Sequence, residues 1–243
     1  MELNAAKCGL LTTDLEPARL WIGTESIPVV QRYMYLGFPV TLAVLEGDRT
    51  IGIDWQEHLR CRMATALARA RFLTTFSGSW GPAHRLRVYQ QYLAPIFEYG
   101  APLTYAALFL QDGIQTAKAK AIMSDWKELL FWIAGGTGRW QVTANLLGLL
   151  TLSERFTLLH TAFQWQLDSA RPDLPLFRLL ARGCPFLRSL RKASLYTEWK
   201  VSRRPQDQTK PALLYYLDGQ RRGYLERASQ KAYLTRIIPF STR

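Results

Sequence analysis

The sequence predicts a mainly α-helical fold that is preceded by a small β portion. Apolar residues recur at helical spacing over most of the chain after residue 53. The first 53 residues are instead rich in β-forming and turn-forming residues. Hydrophobic residues make up 48% of the 243 residues and charged residues only 21%, so the chain can bury a core.

Three short extended segments are predicted in the β portion. Leu20–Ile22 and Ile27–Val30 flank Gly23–Ser26, which is a pattern typical of two strands around a tight loop. The run 33–40 is a third extended segment. Its glycine and its proline, at positions 37 and 39, would keep this segment short or place it at a sheet edge.

Five helices are predicted in the middle of the chain, at 59–73, 82–97, 115–133, 143–147 and 153–167. Pro82 suits the first turn of the second helix, whereas Pro95 should kink or weaken its end. The glycine-rich run 135–138 stops the third helix. The fifth helix is apolar nearly all round, which predicts that it is buried. Three further helices are predicted in a proline-punctuated region, at Leu174–Arg182, Pro211–Leu217 and Arg222–Leu234.

The positive charge is concentrated towards the C-terminus. The formal net charge is +12, and residues 178–243 alone carry 15 Lys and Arg against four Asp and Glu. A segment of this kind is typical either of a solvated tail or of an electrostatic arm for a phosphate backbone. The overall balance favours a polyanionic partner.

A second basic feature lies in the first two predicted helices. Residues 58–97 contain six arginines and no acidic residue: Arg60, Arg62, Arg69, Arg71, Arg85 and Arg87. Helical spacing places Arg62 and Arg69 on one flank of the apolar stripe of the first helix. The same spacing places Arg60 and Arg71 on the opposite flank. This pattern predicts a helix that buries one side and carries guanidinium groups along both edges.

The sequence predicts no catalytic site, no metal site and no cofactor. The three histidines, His58, His84 and His160, lie far apart and outside any zinc-binding spacing. The run 135–138 lacks the Lys-Ser/Thr pair of a phosphate-binding loop. No C-x-x-C pair exists, and three widely spaced cysteines suit a reducing compartment. We expect an intracellular protein, in the nucleus or cytoplasm, without a signal peptide or transmembrane segment.

Four segments, in order, resemble motifs of the reverse transcriptases of non-LTR retrotransposons. Leu3–Gly9 resembles the L-N-x-x-K-C segment at the end of the palm, and Tyr35-Leu36-Gly37 resembles the Y-L-G of the primer grip. Tyr89–Ala101 is similar to the thumb segment L-Y-x-x-x-I-x-P-x-x-E-Y-G. The stretch from Trp126 to Arg155 resembles the region after the thumb. Together these segments span roughly residues 1 to 180.

The resemblance implies four parts of the chain. Residues 1–53 would be a remnant of the palm end with a primer-grip-like segment, and 54–133 a thumb-like helical bundle. Residues 134–177 would be a helical connector, and 178–243 a basic, partly helical C-terminal segment. The implied partner is RNA or an RNA/DNA hybrid, bound without sequence preference.

The candidate nucleic-acid-binding residues come from the resemblance and from the charge pattern. The resemblance contributes Lys7, Tyr35, Leu36 and Gly37, and places the six arginines between residues 58 and 97 along the template–primer duplex. The basic C-terminal segment contributes Arg203, Arg204, Arg221 and Arg222.

The sequence departs from the family where polymerase chemistry is concerned. In the family, aspartates that hold two divalent metal ions precede the segment that Leu3–Gly9 resembles, and no two aspartates are adjacent in this chain. The resemblance therefore implies a truncated polymerase relative that is inactive alone and would use Mg²⁺ only with the missing palm. A cut palm sheet would also leave an exposed edge for self-association.

A second class of function stays open. The chain would then be a helical protein–protein interaction module whose apolar faces bind a protein partner. Four aromatic residues look exposed in the sequence and would serve either function: Trp21, Tyr33, Trp140 and Trp199.

Overall fold

The computed structural model describes residues 8–14, 16–17, 19–35, 37–45, 48–76, 78, 80–104, 117–136, 138–169 and 194–237. The chain divides into two compact units, residues 1–58 and 59–243, and each unit is described by itself. The fold is mainly α with small antiparallel sheets near the N-terminus, which confirms the predicted class. Lys7, Leu36 and the helix predicted at 174–182 lie outside the described residues.

The first unit contains a three-stranded antiparallel sheet. Its strands β3 (Arg32–Tyr35), β4 (Phe38–Leu45) and β5 (Asp48–Ile53) are arranged in that order. The sheet has one apolar face because successive cross-strand pairs bring Tyr33, Val40 and Ile53 into line.

The start of the first helix packs on the β4 strand within this unit. The Phe38 ring lies 5.5 Å from the Trp55 ring and 4.6 Å from the His58 ring, measured between centroids. His58, which is 2% exposed, is buried beside Phe38.

The structure corrects the predicted strands in two places. The first hairpin is tighter than expected, with β1 (Trp21–Ile22) and β2 (Glu25–Ser26) joined across Gly23, whose φ is 63°. The predicted strand 27–30 therefore lies after the hairpin. The extended run predicted at 33–40 is itself a hairpin, because Gly37 adopts a φ of 81° between β3 and β4. The β5 strand was not predicted.

The described helices are α1 (Trp55–Thr74), α2 (Pro82–Val88), α3 (Ala94–Glu98), α4 (Ala117–Ala134), α5 (Trp140–Leu146), α6 (Leu152–Asp168), α7 (Ser194–Val201) and α8 (Lys210–Ile237). A π-helical segment, Tyr89–Leu93, joins α2 to α3, and a 3₁₀ turn, Pro205–Asp207, precedes α8. Among the described helices, none is both long and apolar enough to cross a lipid bilayer.

One hydrophobic core holds the second unit together. It joins the predicted thumb-like bundle with residues of the predicted connector, and its fully buried members include Met63, Phe97, Trp126, Leu129 and Phe156. Helix α2 packs on α4, α4 packs on α5, and α8 packs on both α5 and α6.

A smaller hydrophobic cluster forms where α7 and α8 meet. It contains Tyr196, Trp199 and Leu213, and Trp165 of α6 packs against it. Trp199 is only 1% exposed, so the expectation that it is a surface aromatic was wrong. Helix α7 was not predicted, and Tyr196 attaches it to α6 by donating a 2.9 Å hydrogen bond to Asp168.

Proline and glycine act differently from the prediction at two points in the helices. Instead of a kink at Pro95, the preceding turn widens, and Ala94 donates its backbone N–H to the Tyr89 carbonyl, five residues back. This π turn accommodates Pro95, which has no N–H and whose ring crowds the preceding turn. The break predicted between 217 and 222 is absent, because Gly219 is tolerated in the continuous α8 and Asp218 and Arg222 form an ion pair across it.

A capping box defines the start of α6 and yields a stability prediction. The Thr151 hydroxyl accepts from the Glu154 N–H, and the Glu154 carboxylate accepts from the Thr151 N–H at 2.9 Å. Thr151→Ala should lower the free energy of unfolding by about 1 kcal/mol, as measured by urea titration.

Thr157 of the same helix is the matched control for this substitution. Its hydroxyl donates to the Ser153 carbonyl inside the helix and caps nothing. Thr157→Ala should therefore change the free energy of unfolding by less than about 0.5 kcal/mol. Equal losses in the two variants would show that the capping box does not stabilise α6.

Candidate nucleic-acid interface

One edge of α1 is bound to α4, which lies beside it in the bundle. Arg71 donates from Nε and Nη2 to Glu128 Oε1, at 3.0 and 2.6 Å. The Trp132 indole of α4 donates to the Thr74 hydroxyl of α1 at 2.9 Å. The edge that was predicted to carry Arg60 and Arg71 therefore contributes to packing. Arg60 is half-buried on this edge.

The opposite edge of α1 carries two arginines on the flank that helical spacing predicts. The Arg62 Cζ atom lies 5.1 Å from the centroid of the Tyr99 ring, which is a cation–π distance. Arg69 is exposed and has no hydrogen-bond or ion-pair partner among the described residues. None of its guanidinium donors is used by a described residue.

Two phenylalanines extend this edge beyond Arg69. Phe72 is 64% exposed and Phe76 is 69% exposed, and their rings meet edge to face with centroids 5.1 Å apart. Phe72 lies in α1 and continues the spacing of Arg62 and Arg69, and Phe76 lies in the turn that directly follows the helix. We call Arg62, Thr65, Arg69, Phe72 and Phe76 the α1 stripe. It combines cations that suit phosphates with aromatic surface that suits exposed bases.

The two arginines of α2 have different environments. Arg85 donates from Nη1 to the Trp132 carbonyl at 3.0 Å, and its Cζ atom lies 5.9 Å from the centroid of the Trp132 ring. A cation at the last turn of α4 is also favourable for the helix dipole. Arg85 is thus bound within the bundle, whereas Arg87 is exposed and has no ion-pair partner among the described residues.

The other predicted residues lie in two separate places. Tyr35 and Gly37 lie at the β3–β4 turn of the first unit. In the C-terminal part, Arg204 is exposed beside the 3₁₀ turn, and Gln208 donates to the carbonyl of the half-buried Arg203 at 3.3 Å.

Two neighbouring arginines of α8 also differ in their availability. Arg222 forms an ion pair with Asp218, which uses part of its hydrogen-bonding capacity. Arg221 is exposed and lines a polar cleft. Arg221 is therefore the better placed of the two to meet a phosphate.

That polar cleft lies beside the π-helical segment and has a volume of about 230 Å³. Arg155 of α6 donates from Nε and Nη2 to the two carboxylate oxygens of Glu98, at 2.7 and 2.8 Å. Hydrogen bonding to Glu98 raises the pKa of Arg155. The Trp126 indole donates to the Tyr89 hydroxyl, and burial raises the pKa of Tyr89. The polar groups of the cleft are thus largely paired with one another, and they join α3 and α4 to neighbouring elements.

No protein-family model matches the chain, and comparisons with curated proteins and with solved structures find no significant match. Among the described residues, no group of three or more side chains is arranged to hold a metal ion. Three residues of the segment 89–101, Tyr89, Glu98 and Tyr99, contact side chains of other elements.

The sequence interpretation missed the aromatic part of the α1 stripe. Phe72 and Phe76 lie on the same flank as Arg69, so the helical spacing that located the arginines would also have located them. The partners of Arg71 and Arg85 had no comparable signal, because each lies on α4, far away in the chain.

Buried tyrosines predict a loss of stability at alkaline pH. Burial raises the pKa of Tyr89, and also those of Tyr196 and Tyr216. Above a pH of about 10 the unfolded chain releases these protons while the folded chain retains them. The contribution of these three tyrosines to the free energy of unfolding should therefore be constant below about pH 10 and fall as the pH rises further.

Tyr89→Phe tests the direction of this pH dependence, because it removes one of the tyrosines whose pKa is raised by burial. The free energy of unfolding should fall less steeply above pH 10, by up to about 1.4 kcal/mol per pH unit. Tyr92 is 66% exposed, so Tyr92→Phe is the matched control and should leave the slope unchanged. Urea titrations at several alkaline pH values measure both slopes, and identical slopes in the two variants would refute the assignment.

Proposed function

We propose that this chain is a reverse-transcriptase-like protein that binds RNA or an RNA/DNA hybrid without sequence preference and has no polymerase chemistry of its own. The observation that carries the proposal is the α1 stripe, in which the exposed Arg69 and the exposed pair Phe72 and Phe76 lie along one edge of α1 and the turn that follows it. The ordered resemblance of four sequence segments to the reverse transcriptases supports the same interpretation.

The spacing of the stripe suits a phosphate backbone. Arg62 and Arg69 are two helical turns apart, which is about 10 Å along the helix axis. Phosphates of one DNA strand follow one another at about 3.4 Å along its axis, so the two guanidinium groups can contact phosphates a few nucleotides apart. Contacts of this kind position a duplex without reading its bases.

The positive charge of the C-terminal segment adds a long-range attraction for nucleic acid. Its 15 basic residues against four acidic ones give residues 178–243 a strong positive charge. Arg204 and Arg221 are exposed within the described part of this segment. We place the protein in the nucleus or cytoplasm, where its nucleic-acid partners occur.

The proposal includes self-association through the sheet of the first unit. Strands β3 and β5 are the outer strands of that sheet, and Met34 and Ile51 expose apolar surface on them. An open strand edge with apolar side chains favours pairing with a second copy. Sedimentation at increasing protein concentration tests this, and a single monomeric species at every concentration would refute it.

Two arginines of α1 provide a sharp test of nucleic-acid binding. Arg69→Ala and Arg71→Ala change the net charge equally, but Arg69 is unpaired among the described residues and Arg71 is bound to Glu128. Arg69→Ala should weaken binding of a labelled RNA/DNA hybrid and lower the slope of log K against log salt by about 0.7–0.9. Arg71→Ala should leave that slope unchanged.

The outcomes of these titrations separate the two classes of function. Equal effects of both substitutions would mean that net charge, rather than the α1 stripe, determines binding. Affinity that is undetectable at low salt, or that does not depend on salt, would favour the alternative. The chain would then be a helical protein–protein interaction module, and Phe72 and Phe76 would be its first candidate contacts.

The absence of polymerase chemistry is tested separately. No two aspartates are adjacent in the sequence, so the metal-binding pair of the polymerase family has no counterpart in it. The purified protein should not extend a primer in the presence of Mg²⁺ or Mn²⁺. Template-dependent incorporation of nucleotides that is lost in Lys7→Ala would contradict this expectation.

A further inference from the structure

A second, more apolar cleft lies between α5 and α8. It has a volume of about 330 Å³, near the lower end of the ~300–1,000 Å³ typical of small-ligand pockets. Trp140 of α5 and Tyr224 of α8 contribute aromatic surface to it, and Ala144, Leu149 and Ala228 contribute aliphatic surface. A lining of this kind suits a flat aromatic ligand.

The two helices that form this cleft are held at a fixed distance. Asn145 of α5 donates from Nδ2 to the Leu225 carbonyl of α8 at 3.2 Å. Trp140 is held by an edge-to-face contact with the buried Trp126, with centroids 5.5 Å apart. The cleft is therefore preorganised, so a ligand does not have to order its walls.

Each aromatic side chain of the cleft has a cation beside it. The Arg227 Cζ atom lies 4.9 Å from the centroid of the Tyr224 ring, and the Lys127 Nζ atom lies 5.5 Å from the centroid of the Trp140 ring. Arg227 itself lines the cleft. An aromatic ligand that carries a phosphate would find both stacking surface and a counter-charge here.

Two side chains of the cleft, Glu154 and Asn145, offer hydrogen-bond acceptors beside the donors of Gln141 and Arg227. Thr151 donates from both its N–H and its hydroxyl to Glu154 Oε2, and Oε1 has no hydrogen bond among the described residues. The Asn145 Nδ2 donates to α8, which leaves its Oδ1 as an acceptor. Carboxylate and amide oxygens of this kind recognise exocyclic amino groups of bases.

We propose that this cleft binds one unstacked nucleobase with an exocyclic amino group, from a single-stranded part of the nucleic acid. The inference rests on the proposed function and adds to it. The α1 stripe would hold a duplex without sequence preference, and the cleft would select only the base that lies outside the duplex. Adenine, cytosine and guanine carry the required amino group, whereas uracil does not. The exposed Arg221 of the same helix lies one turn from Leu225 and can meet the adjoining phosphates.

Tyr224→Ala tests the stacking surface, and Tyr215→Ala is its matched control on the same helix. Tyr215 is 76% exposed and does not line the cleft. Tyr224→Ala should weaken binding of single-stranded oligo(A) by about tenfold, because base–aromatic stacking is lost. Tyr215→Ala should leave it unchanged, and circular dichroism should show that both variants are folded.

Glu154→Gln tests whether the Glu154 carboxylate accepts a hydrogen bond from the exocyclic amino group of the base. Glutamine is also accepted at this position of a capping box, so α6 should stay intact. The wild-type protein should bind oligo(A) more tightly than oligo(U), and Glu154→Gln should reduce that ratio at least threefold. An unchanged ratio, or the same affinity for both oligonucleotides in the wild type, would overturn the assignment of the base class.

The experiment distinguishes failure of the cleft from failure of the proposed function. If Tyr224→Ala and Tyr215→Ala behave alike while Arg69→Ala still weakens binding of a hybrid duplex, only the cleft proposal is wrong. If neither oligonucleotides nor the duplex bind at low salt, the proposed function is wrong and the cleft proposal fails with it.

Discussion

The helical unit depends on the contacts of one buried side chain, Trp126. Its indole donates to the Tyr89 hydroxyl, and its ring meets Trp140 edge to face. One residue thus joins the π-helical segment, α4 and α5, and it is only 1% exposed. The polar cleft and the cleft between α5 and α8 each lie against an element that it joins. If the Trp126 N–H lost the Tyr89 hydroxyl as its partner, the protein would lose about 1–3 kcal/mol of stability. This arrangement of the two side chains is therefore strongly preferred.

With α4 fixed in this way, the arginines of α1 and α2 fall into two groups according to whether they contact α4. Arg71 and Arg85 bind acceptors on α4, at Glu128 and at the Trp132 carbonyl. Arg69 is exposed and has no such acceptor among the described residues. The six arginines between residues 58 and 97 therefore differ in their environments, and Arg69 and Arg87 are exposed without a partner among the described residues. The +12 charge of the chain alone could not make that distinction.

Much of the fold could be predicted because the patterns that determine it are local. Helical spacing predicted both flanks of α1, and Gly135, with a φ of 72°, ends α4 where the glycine run indicated. The effect of individual glycines was harder to predict. Gly37 closes a hairpin where an extended run was expected, and Gly219 does not interrupt α8. The cleft between α5 and α8 could not be predicted. Its walls come from residues 84 positions apart, and no local pattern indicates that Trp140 and Tyr224 meet.

Chemical modification of arginine, mapped by mass spectrometry with and without a bound RNA/DNA hybrid, would show which guanidinium groups contact the nucleic acid. We expect the hybrid to protect Arg62 and Arg69 strongly, and to leave the reactivity of Arg71 and Arg85 unchanged because their partners lie within the protein. Protection that is uniform over all four arginines, or that is absent at Arg69, would contradict a nucleic-acid interface on this edge of α1.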